Sequence, residues 1–455
     1  MEKKELRAST SLAAVFAVRM LGLFMIYPVF AAFARQLAGA TPYKIGLALG
    51  IYGLSQGLLQ MPFGLLSDRI GRKVMIVLGL VIFGIGSAVA GSSASIDGVI
   101  WGRVLQGAGA VGSVILALVA DLTAEENRTK AMALVGMTIG FSFLVAIVAG
   151  PAVAGWIGVD GIFWLMAALA LVGIAITLFI VPTPRRLRIH REAETVPALL
   201  GATLRNPELL RLNFGIFTLH AMLTASFLVV PGLLHGALGL SSRDQWIVYL
   251  PVLLVSVGIM VPAIIIAERH QRMKAVLIGA VAALAVSQVM MAAGGRDVYV
   301  LIAAITIFFV GFNIMEASLP SLVTKTAPSG ATGTATGVYS SSQFLGIFVG
   351  GVAGGWLDQT RGAAGVFAFA GVLAALWLLA AATMHRPSHL ATRVVRVGNR
   401  SAADADRLSA QLRQVPGVAE ALVVPEEGLA YLKVDSRVFD RAKAESVAGT
   451  ACGAV

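Results

Sequence analysis

Gly64-Leu65-Leu66-Ser67-Asp68-Arg69-Ile70-Gly71-Arg72-Lys73 is a charged stretch set between two long apolar runs, near residues 45–66 and 74–93. It reads as a turn joining two helices. Gly64 removes a side chain where the first helix must pack closely. Asp68 places a carboxylate where it can face a positive helix N-terminus, an interaction of about 0.3–1 kcal/mol when exposed and more when partly buried. The plainer reading is a basic cluster that anchors one face of a membrane protein.

Composition names that solvent. Of the 455 residues, 57% are hydrophobic and only 13% charged, with a mean hydropathy of +0.84, which leaves too much apolar surface for a water-soluble fold. The 50 glycines suit helices that approach closely in lipid. The one cysteine, Cys452, excludes an internal disulfide framework and a cysteine-rich metal site, and no cofactor or metal is expected. The net charge of +11 lies in short loops rather than in a basic domain, so the expected partner is the lipid bilayer and not nucleic acid. No cleavable signal peptide is evident, and the first apolar run is read as helix 1 itself.

A membrane-crossing helix needs about 20 apolar residues. Runs of that kind lie near 9–37, 45–66, 74–93, 98–120, 131–155 and 161–181, then 209–235, 245–267, 274–293, 298–323, 331–356 and 363–384. The expected fold is therefore an all-α polytopic membrane protein with twelve transmembrane helices. Basic residues accumulate on the cytoplasmic side. Lys3, Lys4, Arg7, Arg69, Arg72, Lys73, Arg128, Lys130, Arg185, Arg186, Arg188, Arg269, Arg272 and Lys274 share one set of loops. The opposite set holds Lys44, Arg243, Arg296 and Arg361, with Arg35 at a helix end. Both termini and the central loop are expected to be cytoplasmic. Gly150, Gly155 and Trp156 recur as Gly350, Gly355 and Trp356, which predicts two duplicated six-helix halves. The limits read are 1–181 for the first half, 182–208 for a linker, 209–386 for the second half and 388–455 for a soluble domain.

The 64–73 stretch resembles the loop signature of the major facilitator superfamily in its key positions, Gly64, Asp68, Arg69, Gly71, Arg72 and Lys73. The resemblance implies the major facilitator fold and a cytoplasmic latch, with the aspartate facing the start of helix 11 and the arginines meeting an acid at the end of helix 4. Asp121 matches that acid. The second half offers only Glu268-Arg269-His270-Gln271-Arg272-Met273-Lys274 at the corresponding place, without the glycines or the aspartate.

Several polar groups stand inside apolar runs, where an arginine costs about 2.5–3.5 kcal/mol on insertion scales. Arg103 opens Arg103-Val104-Leu105-Gln106-Gly107-Ala108-Gly109, which resembles the second signature of proton-linked members of the superfamily. The bland alternative is that Arg103 snorkels to the interface. Glu316, after Asn313-Ile314-Met315, lies well inside its span and is the first candidate for a proton site, since burial disfavours a carboxyl's charged form. The alternative is a structural carboxyl paired with a basic group such as Arg19. Arg19, His220 and Gln343 can bind substrate anions, relay protons or merely join helices, and Asn313 and Gln343 are candidates for a cavity wall. Gly140 and Gly150-Pro151-Ala152-Val153-Ala154-Gly155 resemble the antiporter motif of exporters, with Ala154 in place of its penultimate glycine. Proline removes an intrahelical hydrogen bond and kinks the helix, while the glycines permit tight packing across the cavity.

Beyond Arg386-Pro387 the pattern reads βαββα. Thr392–Val397 is a strand, Ala405, Leu408, Leu412 and Val415 have helical spacing, and Val418–Val424 and Leu429–Val434 flank a turn. A second helix is expected over Val438–Val447. This is most of a ferredoxin-like α+β fold. It resembles heavy-metal-associated domains, but Gly398-Asn399-Arg400-Ser401 stands where their Cys-x-x-Cys would be, which excludes that metal route. The last strand, within Gly449–Val455, is weak and leaves an edge open to self-association.

The whole chain resembles the bacterial YajR-type drug/proton antiporters, on Arg19-Met20-Leu21-Gly22, the 63–73 stretch, Asn127-Arg128-Thr129-Lys130-Ala131-Met132-Ala133 and Gly337-Val338-Tyr339-Ser340. That implies proton coupling with a small-molecule substrate, read here as export of lipophilic or drug-like molecules. Uptake by symport or facilitated diffusion is the alternative within transport, and a membrane sensor using the C-terminal domain is the alternative of another class. No nucleotide-binding loop, metal cluster or nucleophile–base set points to an enzyme.

Overall fold

The computed structural model describes residues 3–183, 196–294, 297–385, 390–398, 401–425, 427–435 and 437–449. Arg185, Arg186, Arg188, Arg296, Arg386, Pro387, Asn399, Arg400, Cys452 and the weak strand beyond Gly449 lie outside the described residues, as does the side chain of Arg128.

Lipid offers no hydrogen bonds, so every spanning segment satisfies its own backbone as a helix. Helix α1 (Lys3–Met25) and α2 (Tyr27–Ala34) form one rod broken at Ile26, just before Pro28. α3 (Pro42–Ile70) and α4 (Arg72–Gly91) flank Gly71, whose φ of 108° only glycine adopts readily. α5 (Ile96–Ala108) and α6 (Gly112–Leu122) are separated at Gly109. α7 (Glu125–Ala175) continues as a π-turn over Ile176–Ile180. The stretch read as a linker contains a short helix, α8 (Pro197–Arg205). α9 (Pro207–Leu238), α10 (Trp246–Arg269), α11 (Met273–Gly294), α12 (Val298–Thr326) and α13 (Thr332–Ala382) follow.

Among the described residues nine apolar helical segments are long enough to cross a membrane. Two of these, α7 and α13, run for 51 residues each and are interrupted inside, at Gly158 (φ 76°) and Gly362 (φ 65°). Each interruption falls between two of the spans read from hydropathy. Large apolar side chains such as Phe179, Trp101, Phe141 and Val289 face outward, as a lipid-facing surface requires.

The segments α1–α7, called the first half, and α9–α13, the second, share one packing contact. A Cβ added to Gly150 of α7 would lie 2.4 Å from the Met25 carbonyl oxygen, and one on Gly350 of α13 would lie 2.2 Å from that of Ala221 on α9. The repeated glycines thus do the same work twice, seating one helix on the first helix of its own half. Between halves, α3 and α13 meet backbone to backbone. A Cβ on Gly46 would reach 2.1 Å from the Gly351 oxygen, one on Gly50 2.7 Å from that of Phe348, and one on Gly53 2.4 Å from that of Phe344. Tyr27 adds an edge-on contact to Phe227, and Phe143 stacks on Phe312 at 5.3 Å.

The C-terminal domain comprises β1 (Leu390–Arg396), α14 (Ala402–Leu412), β2 (Val418–Val424), β3 (Leu429–Asp435) and α15 (Arg441–Val447). Its antiparallel sheet has the order β1-β3-β2. Leu408, Leu412, Val423, Leu432 and Val434 form its core. The second helix starts at Arg441 rather than Val438. Val438 and Phe439 are held in a turn by the Asp435 carbonyl, and Asp440 caps the helix by accepting from the Lys443 N–H.

Gly351→Val is expected to destabilise the protein by about 1–3 kcal/mol through overpacking. Gly140→Ala, where an added Cβ meets nothing within 4 Å, is expected to be neutral; thermal unfolding of both variants in detergent checks the contrast.

Candidate transport site

The 64–73 loop is organised around Arg72. Its side chain is buried, with Nε 3.1 Å from Asp121 Oδ2, an Nη donor on Ser67 Oγ at 2.6 Å and a direct ion pair to Asp68. Asp121 is equally buried, so the loop joins α4 to the end of α6 through a desolvated pair. Lys73 donates to the Val181 carbonyl at 2.9 Å and so ties the same turn to the end of the first half. Gly64 faces Ser113 Oγ, which an added Cβ would approach to 3.3 Å. Arg69 is exposed and outside this network. Asp68 and Gly64 also line a pocket whose far wall is Gly333, Thr336 and Gly337, in the first turns of α13.

Arg103 does not snorkel. It is fully buried, donating from Nε to the Ala48 carbonyl at 3.2 Å and from Nη1 to Gln106 Oε1 at 2.9 Å, with its guanidinium 4.8 Å from the Tyr52 ring centroid. It is too far down α5 and too enclosed by α3 to reach an interface. Arg19 is 1% exposed. It donates to Tyr52 Oη at 3.0 Å and to Gln56 Oε1, and Gln56 passes a hydrogen bond to Gln60. Its partners all lie on α3, so the expected alternative of an Arg19–Glu316 pair is not what forms.

Glu316 instead meets α9. His220 Nε2 lies 3.8 Å from Glu316 Oε2, and the same nitrogen is 2.8 Å from the Gln343 amide nitrogen of α13. With His220 Nδ1 3.3 Å from the Ile216 carbonyl, the consistent tautomer has Nδ1–H donating to Ile216 and Nε2 accepting from Gln343. The Glu316 side chain is 30% exposed. The Tyr339 hydroxyl has no hydrogen-bond partner among the described residues and lies within electrostatic reach of Glu316. Asn313 donates to Ser256 Oγ at 2.7 Å and serves to join α12 to α10. Three candidates from separate runs, Glu316, His220 and Gln343, thus come together, whereas Arg19 and Arg103 form a separate centre around Tyr52. Tyr52, Gln56, Ser256 and Tyr339 were missed in the sequence, where a lone hydroxyl or amide in an apolar run carries no signal.

Of the antiporter-like positions on α7, Gly155 packs against the Arg243 side chain of the second half, where an added Cβ would come within 2.3 Å. Gly150 packs within its own half. Gly140 has nothing near it, so its expected role in tight packing does not hold.

The C-terminal domain touches the end of α12. Lys433 is buried and donates to the carbonyls of Thr324 at 2.7 Å and Lys325 at 3.3 Å, and Glu420 accepts from the Ser329 N–H and hydroxyl.

Two buried clusters of polar groups in a two-half apolar bundle describe a transport protein rather than an enzyme, and comparison with known proteins agrees. Residues 12–351 match the Major Facilitator Superfamily. The chain belongs to the major facilitator superfamily. Within the superfamily it is a YajR-type transporter, since residues 399–449 match the YajR YAM domain. It is 43% identical to the Escherichia coli inner membrane transport protein YajR, over 97% of both chains. A Bacillus subtilis multidrug resistance protein 2 is 34% identical over 36% of this chain and 41% of its own. Among solved structures, a bacterial homologue of the human lysosomal transporter Spinster, inward-facing and occupied, matches with a TM-score of 0.67 at 14% identity, covering 84% of this chain and 96% of that one. This last likeness shows the major facilitator fold alone.

Removing one partner of a buried ion pair costs about 3–5 kcal/mol, less here because Asp68 also faces Arg72. Asp121→Asn is therefore expected to lower the thermal midpoint by several degrees. Combined with Arg72→Gln it should lower it by less than the sum of the single changes, which a double-mutant cycle measures.

Proposed function

We propose that this transporter is proton-coupled and exports small lipophilic or drug-like molecules by alternating access, with Glu316 carrying the proton. The observation that supports this most is the placement of Glu316, a half-buried carboxylate beside His220 and the unpartnered Tyr339 hydroxyl. A neutral carboxyl can stay in such a setting without a counter-charge, whereas a carboxylate needs water or a cation. The His220 Nε2 can become that cation only by giving up the Gln343 N–H and taking a proton in its place. Proton loading and helix position are then coupled, because Glu316, His220 and Gln343 sit on three different helices, α12, α9 and α13. A proton moving inward supplies about 2.3 kcal/mol per 100 mV of membrane potential.

In this reading the breaks at Gly158 and Gly362 divide α7 and α13 into two spans each, which turns the nine segments into eleven, and α3 (Pro42–Ile70), not among the nine, is the twelfth. The basic end, with both termini, the central segment 182–208 and the soluble domain 388–455, faces the cytoplasm. The halves keep the limits 1–181 and 209–386. Asp68, Arg72 and Asp121 act as a latch on that side, and the pocket between Asp68 and the start of α13 is the place where it opens and closes. The C-terminal βαββα unit is a ferredoxin-like domain whose outer strand edges offer a surface for self-association. The multidrug resistance relative supports a drug-like cargo and the export direction.

The test is internal pH in proteoliposomes while a panel of lipophilic dyes is added. Wild type is expected to move protons when substrate moves, and Glu316→Gln to lose that flux. Dye transport without any proton movement in wild type would overturn the coupling.

A further inference from the structure

Among the described residues the first half buries three arginines, Arg19, Arg72 and Arg103, and of these Arg19 alone is left with unpartnered donors. Arg103 spends its donors on two backbone carbonyls of α3 and on Gln106, which in turn donates to Ser87 Oγ. Arg19 is buried as deeply, yet its Nε and Nη1 have no hydrogen-bond partner, and it meets no carboxylate among the described residues. Its one engaged nitrogen, Nη2, is held by Tyr52 and Gln56, and its guanidinium lies 5.9 Å from the Phe83 ring centroid. Tyr52 is shared, since Arg103 stacks on its ring while Arg19 donates to its hydroxyl. Two cations therefore surround one neutral phenol with no negative charge between them. Burying an arginine without compensation costs several kcal/mol, and the guanidinium edge that remains free is the fork that binds a planar oxyanion in bidentate fashion.

We propose that Arg19 is the binding group for the anionic end of an organic acid, a carboxylate or sulfonate carried on an apolar body. The surroundings fit that body, because Phe83 lies beside the guanidinium and Phe16 stands one turn earlier on α1. Gln56 donates to Gln60, and Gln60 lines the pocket between α3, α6 and the start of α13, so two hydrogen-bonded amides stand between that pocket and Arg19. An anion arriving there accepts from Nε and Nη1 without displacing Tyr52 or Gln56. This deepens the transport reading by naming a substrate class, and it does not depend on Glu316 being the proton carrier.

The experiment uses the purified full-length protein in detergent at constant ionic strength, with benzoate, the isosteric neutral benzamide, and sulfate as probes. Thermal unfolding across a concentration series gives an apparent affinity for each. Wild type and Glu316→Gln are both expected to be stabilised by benzoate and not by benzamide or sulfate. Arg19→Gln is expected to weaken benzoate about tenfold or more, as loss of charge-assisted hydrogen bonds implies, and Arg19→Lys to retain part of the effect. Equal stabilisation by benzamide or by sulfate overturns the proposal, as does an undiminished benzoate effect in Arg19→Gln. Should Arg19→Gln fail to fold, the three probes on wild type and Arg19→Lys still decide. A benzoate effect retained in Glu316→Gln while proton flux is lost separates this site from the coupling site.

Discussion

Two backbones touch at Gly46 and Gly351, and the arrangement of the halves depends on that contact. With no side chain on either residue, α3 and α13 approach until a carbonyl of one lies where the other's Cβ would be. In lipid there is no hydrophobic drive to bring helices together, so association comes from such close packing. The same closeness places Asp68, at the end of α3, across a pocket from the first turns of α13. It also sets Tyr52 and Gln56, one face of α3, inward toward α1 and α5. The α3 side of the seam is a strip of glycines, Gly46, Gly50, Gly53 and Gly57, against which α13 lies through Phe344, Ile347, Phe348, Gly351 and Gly355.

Polar groups inside this apolar frame are handled in two contrasting ways. In the first half, Arg72 and Arg103 are each surrounded by acceptors, and the charge is absorbed by a carboxylate pair in one case and by backbone carbonyls in the other. In the second half, Glu316 and Tyr339 are left less than fully partnered, and His220 is held by an amide rather than an acid. Saturated groups rigidify a structure, while partly satisfied ones mark places where its composition of contacts can change. The first half thus reads as the firmer frame, apart from Arg19.

Much of the bundle was legible because hydropathy is a local property: an apolar run can be read as a helix without knowing its neighbours. The Arg72–Asp121 pair was legible too, since the loop signature carried its own context. What failed was pairing at a distance. Arg103 looked close enough to a helix end to reach water, but α3 wraps it, and nothing local to residues 97–109 reports α3. The alternative partner read for Glu316, Arg19, is not the group it meets, because the two lie on helices that face different partners. Tyr52 and Tyr339 were invisible for the opposite reason, as a tyrosine in an apolar run reads as packing until its neighbour is known. The start of α15 was misplaced because Val438 and Phe439 continue an apolar pattern, whereas Asp440 is the residue that can cap.

The contact between Lys433 and α12 is made to main-chain oxygens, not to side chains. What Lys433 meets is therefore a helix end, with its unshared carbonyls and its partial negative charge. Such a grip is indifferent to which residues occupy positions 324 and 325, so those positions can drift in sequence while the contact endures. It depends instead on the last turn of α12 staying wound, at the far end of the helix that bears Glu316.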